Sequence, residues 1–142
     1  MKVPTTLRYG LRIMVEMGKH YSQAPLSLKT ISQSQDLPLK YAEKIIKLLL
    51  NAGLIRSIRG KEGGYILSFP PEKIKLIDIF EALIGRLYLI ECLINPKICP
   101  RAKKCEARKL WQLLVKNWQY FLTKMSLKQL IKGGKNGLAK NR

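Results

Sequence analysis

Residues 36–67 have the sequence DLPLKYAEKIIKLLLNAGLIRSIRGKEGGYIL, and this stretch decides the fold. Pro38 cannot continue a preceding helix but is well tolerated where a new one begins, so a helix is predicted to start near it. The apolar residues that follow recur at the helical period, and Gly53 is a natural C-terminal stop. Beyond Gly53, two short β-prone runs at 54–59 and 65–67 flank a glycine-rich turn, which predicts a hairpin with a basic tip.

Two helices are predicted before this stretch. Within residues 6–20 the apolar side chains follow the helical period, with two arginines on another side, which indicates a first helix. Ser27 precedes a short second helix, because a serine oxygen can accept a hydrogen bond from a free first-turn N–H. Three helices followed by a hairpin form a winged helix-turn-helix. Residues 1–85, which close with a fourth helix that stops at Gly85, are the predicted DNA-binding region.

The C-terminal part is predicted to hold a loop and a long helix. Residues 86–106 contain three cysteines among prolines and lysines and are predicted to be a loop. In residues 107–131 the apolar residues return to the helical period, and Ser126 with Gln129 can form a capping box for a last helical turn. A lone helix this apolar needs a partner. Residues 132–142, rich in glycine, lysine and asparagine, are predicted to be a disordered basic tail.

Charge narrows the possible partners. The 142 residues include 27 lysines and arginines against 9 aspartates and glutamates, a net charge of +18. Such an excess suits nucleic acid, because each neutralised phosphate releases counterions. Charge kept for solubility alone and an anionic membrane surface are the alternatives, although a membrane binder favours a basic amphipathic helix. No apolar run reaches the roughly 18 residues that span a bilayer, and no secretory signal is visible in Met1–Tyr9, so we expect a cytoplasmic protein without membrane contact.

The third helix is expected to enter the major groove, where its first two turns meet base edges. An arginine beside the glycine turn of the wing can reach a narrow minor groove. Tyr41 is equally compatible with the core, Glu43 suits a basic surface only if it accepts from cytosine or excludes wrong bases, and the wing charges can be ordinary solvated ones. The predicted DNA contacts are Lys40, Tyr41, Glu43, Lys44, Arg56, Ser57, Arg59, Gly60 and Lys61.

The three cysteines are Cys92, Cys99 and Cys105. In a cytoplasmic protein, an odd number of cysteines favours metal or redox chemistry over structural disulfides. Their spacings are wider than those of zinc pairs, whereas loop thiolates can wrap an iron–sulfur cluster. Nearby cations would offset the charge of a cluster but would also make bare thiolates reactive, so a thiol sensor and three incidental cysteines stay open as alternatives. These cations are Lys97, Arg101, Lys103, Lys104 and Arg108.

Together these stretches resemble the Rrf-two family of IscR/NsrR-like winged-helix repressors, from Met1 to about Ile131. The resemblance rests on RYGLR (8–12), LSLKTI (26–31), KYAEK (40–44), NAGLI (51–55), SIRG (57–60), GGY (63–65) and Cys105 followed by Leu110-Trp111. It implies a homodimer joined through the helix at about 107–125 and an operator of two inverted half-sites. It also implies a [2Fe-2S] cluster, held by Cys92, Cys99 and Cys105, whose gain or loss changes DNA affinity.

The fourth ligand position departs from this family pattern. Cluster binders of the family often place a histidine three residues after the last cysteine, where this chain has Arg108. Others use a carboxylate at the position of Arg8, which is also basic here. No family ligand therefore fills the fourth site, and neither Glu106 nor His20, the only histidine, is assigned to it.

The sequence as a whole predicts a mainly α fold with a small β-hairpin wing, in which a winged helix-turn-helix is followed by a long C-terminal dimerisation helix. The predicted function is a repressor that senses iron–sulfur, redox or nitric oxide status through the cluster. The alternatives are a cluster-free regulator controlled by thiol oxidation or by a protein partner and, less favoured, a small electron carrier. No phosphate loop, catalytic triad or paired carboxylate is visible, so no enzyme activity is expected.

Overall fold

The computed structural model describes residues 2–133, which contain six α-helices and one two-stranded antiparallel hairpin. The helices are α1 Thr5–Lys19, α2 Leu28–Ser34, α3 Leu39–Asn51, α4 Leu76–Ile84, α5 Glu106–Lys124 and α6 Leu127–Gly133, and the strands are β1 Ile55–Ile58 and β2 Gly64–Leu67. The predicted fold class, mainly helical with a β-hairpin wing, is confirmed.

Local capping signals place the ends of α2 and α3 where the sequence predicts them. The Ser27 hydroxyl oxygen accepts a hydrogen bond from the Thr30 N–H at 3.1 Å, and α3 begins directly after Pro38. At the other end of α3, Gly53 adopts a left-handed φ of +72° that a residue with a side chain rarely adopts. The Gly53 N–H donates to the Leu50 carbonyl at 2.9 Å, which closes the helix with a glycine cap.

The wing gains a third backbone segment that the sequence analysis did not predict. In the hairpin, Ile55 lies opposite Leu67 and Ile58 opposite Gly64. The Leu26 N–H donates to the Tyr65 carbonyl at 3.0 Å, and the Tyr65 N–H donates to the Leu26 carbonyl at 2.8 Å. A Cβ on Gly64 would lie 2.5 Å from the Leu26 carbonyl oxygen, so only glycine permits this close approach.

The predicted capping box of α6 is confirmed. The Ser126 N–H donates to Gln129 Oε1 at 2.8 Å, and the Gln129 N–H donates to Ser126 Oγ at 3.2 Å. The helix continues to Gly133, two residues past the predicted last turn. The remainder of the predicted disordered tail, residues 134–142, lies outside the described residues.

The end of α5 and the start of α6 complete the core of the predicted DNA-binding region. Leu122, Met125 and Leu127 are buried in the same hydrophobic cluster as the apolar sides of α1, α3 and α4. Backbone bonds fix this arrangement, since the Leu127 N–H donates to the Ile74 carbonyl at 2.8 Å and the Leu76 N–H donates to the Met125 carbonyl at 2.9 Å. The core therefore draws on both the N-terminal region and the last two helices.

The predicted cysteine loop is largely irregular but contains two short 3-10 turns, Glu91–Leu93 and Pro96–Ile98, that were not predicted. Pro96 begins the second turn, where a missing N–H costs nothing. The helix that follows the loop begins at Glu106, one residue before the predicted boundary. Between residues 2 and 133, no helix is both long enough and apolar enough to cross a membrane.

Candidate DNA-binding face and cysteine loop

One side of α3 is buried and the other is available to a partner. Ala42, Ile45, Ile46 and Leu49 face the core, and Lys40, Glu43 and Lys44, three of the predicted DNA contacts, are exposed. Glu43 lies 3.8 Å from Lys47 in a pair that is exposed on both sides. A surface pair of this kind contributes little stability, so both side chains are available for other contacts.

Tyr41 takes part in the packing of α3 against α1. Its ring is half-buried and meets the ring of Tyr9 edge to face, with centroids 6.0 Å apart and planes at 87°. Its hydroxyl lies 3.4 Å from the Thr6 hydroxyl, within hydrogen-bond distance. Tyr41 thus has a structural role in the first turn of α3, and its contact with DNA stays a prediction.

The wing presents its predicted contacts on a single hairpin. Arg56, Ser57, Arg59, Gly60 and Lys61 are all exposed. Within residues 2–133 the ion pairs are Lys47 with Glu43 and Lys109 with Glu106, so the wing cations have no acidic partner there. Unpaired cations on a protruding hairpin can neutralise phosphates without first breaking an internal ion pair.

A polar network that the sequence analysis missed joins α1 to the turn before α3. Arg12 Nε donates to Gln35 Oε1 at 2.9 Å. Glu16 Oε2 accepts from the Ser34 hydroxyl and from Gln35 Nε2, both at 2.7 Å. Because the partners lie far apart in the sequence, no local pattern identifies them; their polarity at the end of a short helix is the one available signal. The network fixes the direction in which the chain enters α3.

The cysteine loop places its three thiols in similar surroundings. Cys92, Cys99 and Cys105 are all half-buried and unbonded to one another. Cys105 is the N-cap of α5, where its Sγ accepts the Arg108 N–H at 3.4 Å. The Arg108 side chain turns back across the loop, and its Nε donates to the Cys92 carbonyl at 3.2 Å.

This arrangement does not fit a four-ligand [2Fe-2S] centre. Among residues 2–133, no three histidine, cysteine or acidic side chains are grouped so that they could hold a metal ion. The position that follows Cys105 by three residues holds Arg108, whose guanidinium has no lone pair to offer a metal. Of the other candidates, Glu106 is exposed and pairs with Lys109 at 3.0 Å, and His20 Nδ1 lies 2.8 Å from the Glu16 carbonyl at the end of α1. The expectation of a cluster held by this donor set thus has no support in the geometry.

The chain is similar to known proteins over nearly its whole length. Over residues 3–133 it matches the family model described as Rrf2, iron-dependent transcriptional regulator. The chain belongs to the Rrf2 family. The resemblance inferred from the sequence motifs is confirmed, and with it the function of a transcriptional regulator.

Three members of the Rrf2 family illustrate the relationship. The transcriptional regulator CymR of Bacillus subtilis is 44% identical over 93 residues, which cover 66% of this chain and 67% of CymR. Its solved structure, described as that of the global cysteine regulator, covers 94% of this chain and 98% of its own with a TM-score of 0.77. IscR of T. potens has a structure with 30% identity and a TM-score of 0.77, over 97% of this chain and 91% of its own. The structure of CymR of Staphylococcus aureus, solved in an oxidized form, has 36% identity and a TM-score of 0.71 and covers 93% of this chain and 97% of the CymR chain.

Proposed function

We propose that this chain is a repressor that binds double-stranded DNA at two inverted half-sites as a homodimer and adjusts that binding through thiol chemistry in the cysteine loop. The observation that carries the DNA-binding part is the exposed basic surface of α3 and the wing, above all Lys40, Lys44, Arg59 and Lys61. A recognition helix anchored on one side and a wing without internal ion pairs are what a groove-binding module requires.

The uncovered side of α5 supports the homodimer. Leu113 is 56% exposed, Tyr120 66% and Phe121 48%, and Leu110, also exposed, lies on the same side of the helix. A contiguous apolar surface of this kind marks an interaction site, and a long helix is a common self-complementary interface in twofold dimers. An operator of two inverted half-sites would match a dimer with this symmetry.

The thiol-based part of the proposal rests on the loop itself. Three half-buried free thiols lie among cations, and Arg108 occupies the position from which a fourth ligand would act. The names of two CymR relatives, one a global cysteine regulator and the other solved in an oxidized form, support cysteine chemistry as the signal. The exposed apolar surface of α5 begins at Leu110, near the end of the cysteine loop, so the loop adjoins the proposed dimer contact.

The first test is selection of DNA sites from a random duplex pool, followed by binding assays on the selected site before and after peroxide treatment. We expect enrichment of a palindromic site and a change in affinity that Cys105→Ser or Cys99→Ser reduces. Mass spectrometry of the oxidised protein should find a disulfide or a sulfenate at these cysteines. Enrichment without any common sequence, or an affinity indifferent to oxidant, would contradict the proposal.

Cluster-based sensing is the second candidate, favoured by three cysteines within one loop and by the description of the family as iron-dependent. It is separated from the first by the ultraviolet-visible spectrum of anaerobically purified protein, with iron and sulfide counts. A featureless spectrum with iron well below one atom per chain supports thiol chemistry. Charge-transfer absorption with stoichiometric iron and sulfide supports the cluster instead.

A further inference from the structure

Arg108 lies in a different environment from its neighbours in the first turn of α5. It is half-buried, whereas Ala107 before it and Lys109 after it are exposed. The charged head of an arginine is normally kept in water while its stem covers apolar surface. Here the side chain is instead directed back across the cysteine loop.

Two hydrogen bonds connect Arg108 to two of the three cysteines. Its backbone N–H donates to Cys105 Sγ at 3.4 Å, and its side-chain Nε donates to the Cys92 carbonyl at 3.2 Å. The second bond spans sixteen positions of the sequence. Among the hydrogen bonds of residues 2–133, it is the one that joins the interior of the loop to the body of α5. The other bonds of the loop are local and shape its short turns.

The chemistry of this side chain determines what it can do at this place. A guanidinium presents five N–H donors in a rigid planar fork, always carries its charge and accepts no hydrogen bond. It can hold a carbonyl oxygen with a charge-assisted bond, but it cannot coordinate a metal ion.

We propose that Arg108 is a positioning residue that closes the cysteine loop without a metal, by fastening the backbone at Cys92 to the first turn of α5. This inference rests on the proposed thiol-based function, since it describes how the loop is ordered when no cluster is present. The Cys92 backbone carbonyl and the Cys105 thiol are thereby both held by Arg108, the first through its side chain and the second through its backbone N–H. A change at Cys105, the cap of α5, is transmitted through Arg108 to the other end of the loop.

The test compares Arg108→Ala with Lys109→Ala in the full chain. Lys109 is the adjacent cation, exposed and paired with Glu106 on the surface, so it is a matched control for the loss of charge. Iodoacetamide labelling of each cysteine is followed by peptide mass spectrometry, and hydrogen exchange is measured at residues 90–95. Because an opened loop exposes Cys92, we expect Arg108→Ala to label Cys92 about 10-fold faster, the factor for loss of a charge-assisted hydrogen bond.

Two further measurements complete the experiment. Arg108→Lys keeps the charge but not the planar fork, and we expect it to label Cys92 at an intermediate rate. Wild-type protein treated with a strong chelator should keep its slow labelling rate. Equal Cys92 labelling in wild type and Arg108→Ala, or opening of wild type by the chelator, would overturn the proposal.

The proposed function and this inference fail in different ways. If oxidant does not change operator binding by the wild type while Arg108→Ala still opens the loop, the thiol-sensing function is wrong and the positioning role of Arg108 stands. If oxidant changes operator binding but Arg108→Ala leaves Cys92 protected, the sensing function stands and the positioning role of Arg108 is wrong. Circular dichroism of each variant confirms that the helices are intact.

Discussion

Arg59 and Lys47 are both exposed cations of the DNA-binding region, but they have different surroundings. Arg59 directly follows β1 beside the glycine turn of the wing and has no acidic partner within the described part of the chain. Lys47 lies on α3 one turn beyond Glu43 and forms an exposed pair with it. An arginine fork on a thin hairpin can enter a minor groove, whereas a lysine on the flank of a helix meets a phosphate.

Replacement of these two residues should therefore weaken DNA binding in different ways. We expect Arg59→Ala to weaken binding to the selected operator by about 1 to 3 kcal/mol with a small effect on random duplex. Lys47→Ala should weaken binding to the operator and to random duplex alike. It should also reduce the slope of log binding constant against log salt concentration by the equivalent of about one phosphate contact. Binding titrations at several salt concentrations measure both effects. Equal losses on operator and random duplex for Arg59→Ala would remove this residue from sequence recognition.

At the scale of elements, local signals in the sequence were enough to place the helices. Ser27, Gly53 and the Ser126–Gln129 box act on backbone groups within a few positions, and each fulfils its predicted role. The pairing of Leu26 with Tyr65 and the bond from Arg108 to Cys92 depend on tertiary folding and have no counterpart in the local pattern. The sequence likewise shows which residue types lie in the cysteine loop, but it does not show which of their side chains lie close together.

The apolar stripe of α5 was predicted, and the structure divides it into two parts. Leu122 and Met125 are buried in the core, whereas Trp118 and Phe121 remain exposed, as does Leu113. The sequence pattern did not separate the buried part from the exposed part, and the exposed part is the one proposed to contact a second copy. Periodicity gives the side of a helix that is apolar, but it does not distinguish contact with its own chain from contact with another.

A charge placed on the uncovered side of α5 should separate the proposed dimer. We expect Leu113→Glu to shift the protein from dimer to monomer and to weaken operator binding, because a buried carboxylate without a partner is strongly unfavourable at an interface. Gln112→Glu introduces the same charge at the adjacent exposed position, about 100° further around the helix, and is the matched control. Sedimentation equilibrium of both variants measures the effect. A monomeric wild type, or a Leu113→Glu variant as dimeric as the control, would refute an α5 interface.

At the scale of the whole molecule, the hydrophobic core is shared between the predicted DNA-binding region and the last two helices. Leu127, fully buried, contacts the region through the bond of its N–H to the Ile74 carbonyl, and Leu122 and Met125 extend the same core. Truncation of a buried leucine alone costs about 2 to 5 kcal/mol, a large share of the stability of a small domain.

A fragment of residues 1–85 should therefore fail to fold by itself. It loses three buried side chains of the common core together with the backbone partners of Ile74 and Leu76. We expect it to unfold without a cooperative thermal transition in circular dichroism, whereas residues 1–133 should melt cooperatively. A sharp transition in the short fragment would mean that the winged helix-turn-helix is autonomous.

The two ends of α5 are held by different bonds. At its C-terminal end the Met125 carbonyl accepts from the Leu76 N–H, and the Leu127 N–H just beyond donates to the Ile74 carbonyl, so this end is joined to the start of α4. At its N-terminal end, within residues 2–133, the Arg108 side chain supplies the hydrogen bond that joins the helix to the loop interior, and the helix also packs on the turn at Glu91–Leu93. The 19-residue helix thus runs roughly 28 Å, at the rise of an α-helix, from the cysteine loop to the core of the predicted DNA-binding region. Under the proposed thiol chemistry, a change in the loop would act on one end of this helix, and a second copy packed on its uncovered side would be displaced with it.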